Sequence, residues 1–370
     1  MVTNEFRTHG GLFEVTTSGQ VTARTNRFLE QGISGMFFYA HARCVRNMAI
    51  DDLQEVLERL GRGVSPESLA LKTTSDGLVD LRGGKILRPK VTARFTMAGA
   101  GFDYAPSRPI FEGLELDDLD LSRCHLENTY WLNCAFRHVR FEGLRGRGMN
   151  FASTRIESGS FARADLRNAN WGLNGLDGPA LSDVEFIKTD LRGTTYAHSI
   201  FRRCQFADSN LEDVNFSGSR FEDCVFIGVL DAVTFNGWDF DADPRVAALR
   251  NPMKNLDFTN SELKNVAFSR GIDLTSCRFP AEGYVKLPHP RRIYERVLKR
   301  IDSEWSGEAK ATAKTFVEIM LKSHFTEEQP FDVVRPADFS EPPWDKEVGE
   351  ALLRELIDTS KSESRSTSHT

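Results

Sequence analysis

Cysteine, histidine and clustered carboxylates are the side chains of this chain whose spacing could do chemistry. There are six cysteines, but the CxxC-type pairs that hold a zinc ion are absent. Cys124 and Cys134 lie ten residues apart and Cys204 and Cys224 twenty apart, intervals that suit a structural repeat better than a metal site. The eight histidines form no HExxH or other paired spacing. There is no phosphate-binding loop, no GxGxxG after a predicted strand and no GxSxG nucleophile elbow. No catalytic, cofactor-binding or metal-ligating residue is therefore nominated, no cofactor is expected, and a non-enzymatic protein is. Carboxylates remain, and their chemistry would be recognition: an acidic surface complements a basic partner.

The element that positions these residues is a repeat. Stepping by five from Phe111 through Trp131, Phe151, Phe161, Leu166, Trp171, Leu176 and onward to Phe226, 23 of 24 positions are large and apolar. Gly146 is the exception. Chance at this composition would give about 10. Five is neither the helix period nor the strand period. Two residues before each large position the side chain is small in 17 of 24 cases, and the other three positions are mostly polar. Cys124, Cys134, Cys204, Cys224 and Cys277 all occupy that small position, which makes them core filler. His125, His138 and His198 fall at outward positions.

Units such as Ala164-Asp165-Leu166-Arg167-Asn168 and Ser209-Asn210-Leu211-Glu212-Asp213 resemble the A(D/N)LXX pattern of pentapeptide-repeat proteins. The resemblance covers roughly residues 109–281. It implies a mainly β fold, a right-handed quadrilateral β-helix with four pentapeptides per coil and about eight coils. The large residues would fill the interior, and residues twenty apart would stack at one strand spacing, ~4.8 Å. Cys204 and Cys224 would then lie in adjacent coils, and both are expected to be reduced. At Gly146, the large neighbours Leu144 and Met149 are expected to refill the missing volume; the alternative is a bulge presenting Arg145 and Arg147 to a partner. After Phe226 the frame slips, continuing through Leu230, Phe235 and Phe240 to an insert at 241–255. Asp243 is placed to cap a short helix there, with Pro244 at its first turn. Phe258, Leu263, Phe268, Leu274 and Phe279 then resume the pattern.

Sorting outward residues at four pentapeptides per coil predicts two acidic faces. Asp190, Glu212 and Asp213 are assigned with Glu112 to the face over Phe111, and Glu115, Asp117, Asp118, Glu157 and Asp177 to the next. These eight (Glu115, Asp117, Asp118, Glu157, Asp177, Asp190, Glu212 and Asp213) are the candidate partner-binding surface. Asp243, Arg245, Arg250 and Lys254 are candidate contacts in the insert. The same sorting predicts a charge ladder through Arg163, Asp183, Arg203 and Asp223, and a polar ladder through Asn150, Asn170, Asp190 and Asn210. Most of the resembled family implies a protein-interaction scaffold with an unassigned partner. Its Qnr and MfpA branch implies a DNA mimic that binds DNA gyrase or topoisomerase and protects it from quinolone-type inhibitors. A third reading places an effector or catalytic domain in residues 1–100, carried on a repeat stalk.

Residues 1–100 form an expected α+β region of unassigned role. A hairpin is predicted over 12–24, turning at Ser18-Gly19. A helix is predicted over 50–63, with Leu53, Val56, Leu57 and Leu60 on one face and Gly61 as its stop; short strands follow over 77–97. The repeat domain spans 101–283. Residues 284–358 predict helices, with stripes at Ile293, Val297, Ile301 and Trp305, at Phe316, Ile319 and Met320, and at Val348, Leu352, Leu353, Leu356 and Ile357. These helices either cap the rod or join two copies as a homodimer. The Ser/Thr-rich tail, 359–370, is expected to be disordered. Net charge is −6, which argues against direct nucleic-acid binding. No stretch reaches bilayer-spanning length and no secretion signal is visible, so a cytoplasmic protein without membrane contact is expected.

Overall fold

Large residues five apart point inward because each pentapeptide is one short strand and one corner. The computed structural model describes residues 4–8, 11–15, 21–23, 52–86, 93–97, 100–104, 108–172, 178–196, 198–216, 218–237, 250–326 and 329–367. Its larger unit comprises 49–90 and 106–370, and a smaller unit comprises 1–48 and 91–105. In the smaller unit, Asn4–Thr8 pairs antiparallel with Gly11–Val15, which pairs with Val21–Ala23. Gly11–Val15 and Val21–Ala23 are the hairpin predicted over 12–24, although Ser18 and Gly19 lie outside the described residues. Ala93–Met97 and Ala100–Tyr104 form a second antiparallel pair. The segment expected as one region, 1–100, is thus divided, with 49–90 packed in the larger unit.

The larger unit is built around a four-sided, right-handed β-helix. Parallel strands stack in register, with Phe111, Trp131, Phe151, Trp171 and Tyr196 aligned on the first face. Single bridges extend that face through Asn215 to Thr234–Asn236 and then Ala267–Ser269, so five strands, one bridge residue and two strands give eight rungs. The second face stacks Leu116, Phe136, Ile156, Leu181, Phe201 and Phe221. The third carries Phe186, Phe206 and Phe226. The fourth lies over Leu126, Leu166 and Leu191, through bridges at His125, Arg145, Asp165 and Asp190.

Three local devices repeat around each large residue i. At i+2 the backbone enters the left-handed region, as at Gly113, Asp118, Asn128 and Asp183, which turns the corner. Asn, Asp and Gly tolerate that conformation best. At i−1 an Asp or Asn side chain accepts the backbone N–H of i+1: Asp120 from Ser122 at 3.0 Å, Asp165 from Arg167 at 3.3 Å, Asn210 from Glu212 at 3.1 Å. At i+3 the small side chain turns inward and donates to the carbonyl of a large residue one coil earlier. Thr154 reaches Trp131 O at 3.1 Å, Ser209 reaches Phe186 O at 2.8 Å and Ser219 reaches Tyr196 O at 2.6 Å. The small position is therefore rich in Ser, Thr and Cys because it must fit and also satisfy a buried carbonyl.

Aromatic columns fill the interior. Phe141, Phe161, Phe186, Phe206 and Phe226 stack with centroids 4.5, 5.3, 4.8 and 4.8 Å apart, and Phe258 and Phe279 continue the column. Adjacent columns meet edge to face, as Trp131 and Phe136 do at 5.0 Å and 63°. Both arrangements suit the ring quadrupole. Gly146 is accommodated by refilling: Leu144 and Met149 are fully buried. A Cβ at Gly146 would lie 2.6 Å from the Met149 sulfur and 2.8 Å from a Leu166 methyl.

The register corrects the period in three places. Ile156 pairs with Leu181, twenty-five residues on rather than twenty, so the register lengthens by one pentapeptide after Trp171. Leu176 lies outside the described residues, and each later large residue through Phe226 sits one face away from its assignment. Leu191 and Asp190 therefore belong to the fourth face, while Tyr196 extends the Phe111 column. Second, the coil resumes earlier than expected after the insert, because Lys254 pairs with Glu222 and Met253 is fully buried. Phe240, Asp243, Pro244 and Arg245 lie outside the described residues. Third, coils begin before Phe111: Val79–Asp80 pairs parallel with Leu119–Asp120, and Lys85 bridges His125.

Helices cover both ends, as a stack of open coils requires. Helix α1 (Leu53–Leu60) is capped by Asp52, which accepts from Gln54 N at 3.0 Å. Its Leu53, Val56 and Leu57 join the rod core, and Gly61 ends it where a side chain would strike Leu114. At the other end, α2 (Pro290–Glu304), α3 (Gly307–Ile319) and α4 (Lys346–Thr367) build a core of their own. They seat on the last coils through Gln329 Nε2 to Phe268 O at 3.0 Å, Arg335 to Glu262 at 2.7 Å and the Phe331 ring against Phe279. Ile319 departs from its expected stripe and is 51% exposed. The tail expected to be disordered instead continues α4 to Thr367, since Thr359 and Ser360 are buried and Ser362 receives Arg296.

Candidate interaction surface

Because the interior is filled, function is carried by outward positions. The face over Phe111 is nearly free of charge, the reverse of its predicted acidity. Its centre is a ladder of amides and hydroxyls: Asn170 Nδ2 donates to Asn150 Oδ1 at 3.0 Å and Thr195 Oγ1 to Asn170 Oδ1 at 2.7 Å. The predicted polar ladder is thus real through Asn150 and Asn170 but passes to Thr195 rather than Asp190, because of the lengthened register after Trp171. Tyr130 stands at one end, with Arg108 bonded to its hydroxyl at 3.1 Å and over its ring at 5.6 Å.

The second face is charged but alternates in sign. Arg137 binds Asp117 at 2.9 Å and also Glu115; Arg155 approaches Glu115 at 3.8 Å; His138 lies 3.5 Å from Asp118. Farther along, Arg203 grips Asp183 through two bonds of 2.7 and 2.6 Å, and Glu222 is shared by Arg202 and Lys254. The Arg203 guanidinium holds the Asp183 carboxyl below its ordinary value. Arg163 is not part of this ladder; it sits on the third face, 3.2 Å from Glu142. Glu157 has no ion pair among the described residues, and Asp177 lies outside them.

On the fourth face the Asp-Leu-Arg units build clamps. Arg167 binds Asp165 through bonds of 2.8 and 2.7 Å and reaches Asp190 at 3.3 Å, and Arg192 binds Asp190 at 2.8 Å. The Arg167 hydrogen bonds hold Asp165 below its ordinary value, and Arg82 does the same to Asp80, which falls to about 2. Glu212 and Asp213 are exposed here, without an ion pair among the described residues. The eight acidic candidates are therefore not one surface: four lie on the second face and three on the fourth, and arginine pairs with Glu115, Asp117 and Asp190 among them. Of the insert candidates, Arg250 is exposed and Lys254 is a coil residue tied to Glu222.

Cys124 and Cys277 are poor nucleophiles. Burial pushes the Cys124 and Cys277 thiols up to about 12. Cys204 and Cys224 are free thiols in adjacent coils, and the hydrogen-bonding proximity of Cys204 raises Cys224 well above its ordinary value. Among the described residues no group of three or more potential ligands could hold a metal ion, and no helix is long and apolar enough to cross a membrane.

Coil register, left-handed corners and the paired large and small interior positions define a pentapeptide-repeat β-helix. The family model for pentapeptide repeats matches residues 190–228, in eight copies. Among solved structures, trypsin-treated QnrB1, a plasmid-mediated fluoroquinolone resistance protein, is similar at 18% identity and TM-score 0.27, over 55% of this chain and 91% of that one. HetL, a pentapeptide-repeat protein involved in heterocyst differentiation regulation in the cyanobacterium Nostoc sp., is similar at 12% identity and TM-score 0.19, over 47% and 84%. Rfr23, from the cyanobacterium Cyanothece, gives 12% and 0.18, over 47% and 90%. No curated protein matches.

One feature has no sequence signal. Between the last coils and the helical cap lies a cavity of about 220 Å³, lined by residues from Leu263 to Trp344. Its walls come from segments distant in the chain, so no motif marks it.

Proposed function

We propose that this protein is a non-enzymatic interaction scaffold whose partner docks on the uncharged first face of the rod. The carrying observation is the Asn150-Asn170-Thr195 ladder, in which the buried Asn150 anchors Asn170 and through it Thr195, so that these two present polar groups in fixed positions on a strand face. Side chains already ordered by one another lose little entropy on binding. Interface centres are also depleted in charge, as this face is. The rungs span roughly 34 Å at ~4.8 Å each, enough for an extended contact.

The alternative, a DNA mimic acting on gyrase, requires an unneutralised acidic surface. Arginines instead pair with part of it, Arg137 with Asp117 and Glu115 and Arg192 with Asp190, and Glu157 and Glu212, without an ion pair among the described residues, stand on different faces, which favours the scaffold. A supercoiling assay with purified DNA gyrase, with and without a fluoroquinolone, tests this choice. The scaffold reading predicts no inhibition and no protection at micromolar protein. Protection that Glu157→Lys together with Glu212→Lys abolishes would establish the mimic instead.

A further inference from the structure

The cavity at the junction of rod and cap contains an ionisable group that the interaction surface does not use. Asp332 is 7% exposed and lines the cavity. No lysine or arginine pairs with it among the described residues; a backbone bond at Val333 is the only one that favours its charge. Arg335 also lines the cavity, but its charge is already engaged by Asp338, a lining residue too, at 2.8 Å, by Glu262 at 2.7 Å and by Glu341 at 3.4 Å. From the helical side, Tyr294 and His324 complete the polar wall. Burial holds His324 below its ordinary value, so it supplies no cation near neutral pH.

The rest of the lining is largely apolar, aliphatic at Leu263, Val266 and Met320 and aromatic at Phe316, Phe339 and Trp344. Phe316 meets Trp344 at 5.0 Å and 73°, Phe316 meets Phe339 at 6.0 Å and 80°, and Phe339 stacks on Trp344 at 5.8 Å. Three rings set partly at right angles beside a lone carboxyl are what an organic cation requires: cation–π contacts for its carbon shell and a counter-ion for its charge. An isolated buried carboxylate is costly, and a bound cation removes that cost.

We propose that this cavity binds a small organic ammonium ion, with Asp332 as counter-ion and Phe316, Phe339 and Trp344 as the aromatic enclosure. A volume of about 220 Å³ limits the ligand to a small amine. The test is calorimetric titration of the full chain with phenethylamine and with its neutral analogue 2-phenylethanol at pH 8, repeated on Asp332→Asn and Trp344→Leu. Phenethylamine is expected to bind at least about tenfold more tightly than the alcohol. Asp332→Asn is expected to erase that preference while keeping the fold, read from an unchanged or raised melting temperature. Trp344→Leu is expected to weaken the amine selectively. Equal binding of amine and alcohol, undiminished amine binding by Asp332→Asn, or no amine binding at millimolar concentration would each overturn the proposal.

Discussion

Gly146 offers the sharpest test of how the interior is filled. Every other position of its column holds a large residue, and here Leu144 and Met149 are fully buried in the space that a large side chain would take. An added Cβ would sit 2.6 Å from the Met149 sulfur and 3.2 Å from Leu144 Cδ2. Gly146→Leu alone should therefore cost about 1–3 kcal/mol, the usual range for overpacking. Met149→Ala alone opens a cavity and should cost about 2–5 kcal/mol. Together they exchange volume between neighbours, so the pair should be more stable than the sum of the single effects by about 2 kcal/mol. Urea unfolding of wild type, both single variants and the double variant closes the cycle. Strict additivity would refute the shared-volume account and favour a bulge at this site.

Further outcomes follow from the same structure. Phe186→Ala, in the middle of the longest stacked column, should cost about 3–5 kcal/mol by chemical denaturation. Ser209→Ala removes the 2.8 Å bond to Phe186 O and the 3.1 Å bond that Ser209 Oγ accepts from Thr189 N, and should cost about 1–3 kcal/mol because it strands a buried backbone N–H. Burial pushes Asp332 up to about 7, so the native carboxyl keeps a proton that the unfolded chain releases near pH 4. The native state then binds more protons across pH 4–7, and stability should fall as pH rises through that window and level off above it. The loss reaches at most about 4 kcal/mol from a shift of roughly three units, and Asp332→Asn should abolish this slope in thermal melts.

What the sequence reveals and what it hides have one physical cause. An interior position admits few residue types, so Phe161, Leu166 and Trp171 disclose the coil directly. Outward positions carry no such restriction, and only their face assignment gives them meaning. That assignment is lost after Trp171, because the register lengthens there by one whole pentapeptide, which leaves every later large residue through Phe226 in frame. The frame continues unbroken while the faces rotate, moving Asp190, Glu212 and Asp213 off the Phe111 face and Thr195 onto it. Leu81 and Ile86 form too short a run to register as a repeat, and Met253 is masked by the loop before it. The cavity around Asp332 joins the last coils to three helical segments, which no local pattern can foretell.

The central claim is that the uncharged face, not the acidic one, engages the partner. Quantitative affinity capture from the native host with wild type, with Asn170→Arg and Thr195→Arg combined, and with Glu157→Lys and Glu212→Lys combined tests it most directly. A specific partner should be retained by wild type and by the charge-reversed variant but lost from the variant with arginines on the first face. Retention of that partner by the arginine variant together with its loss from the charge-reversed one would contradict the claim.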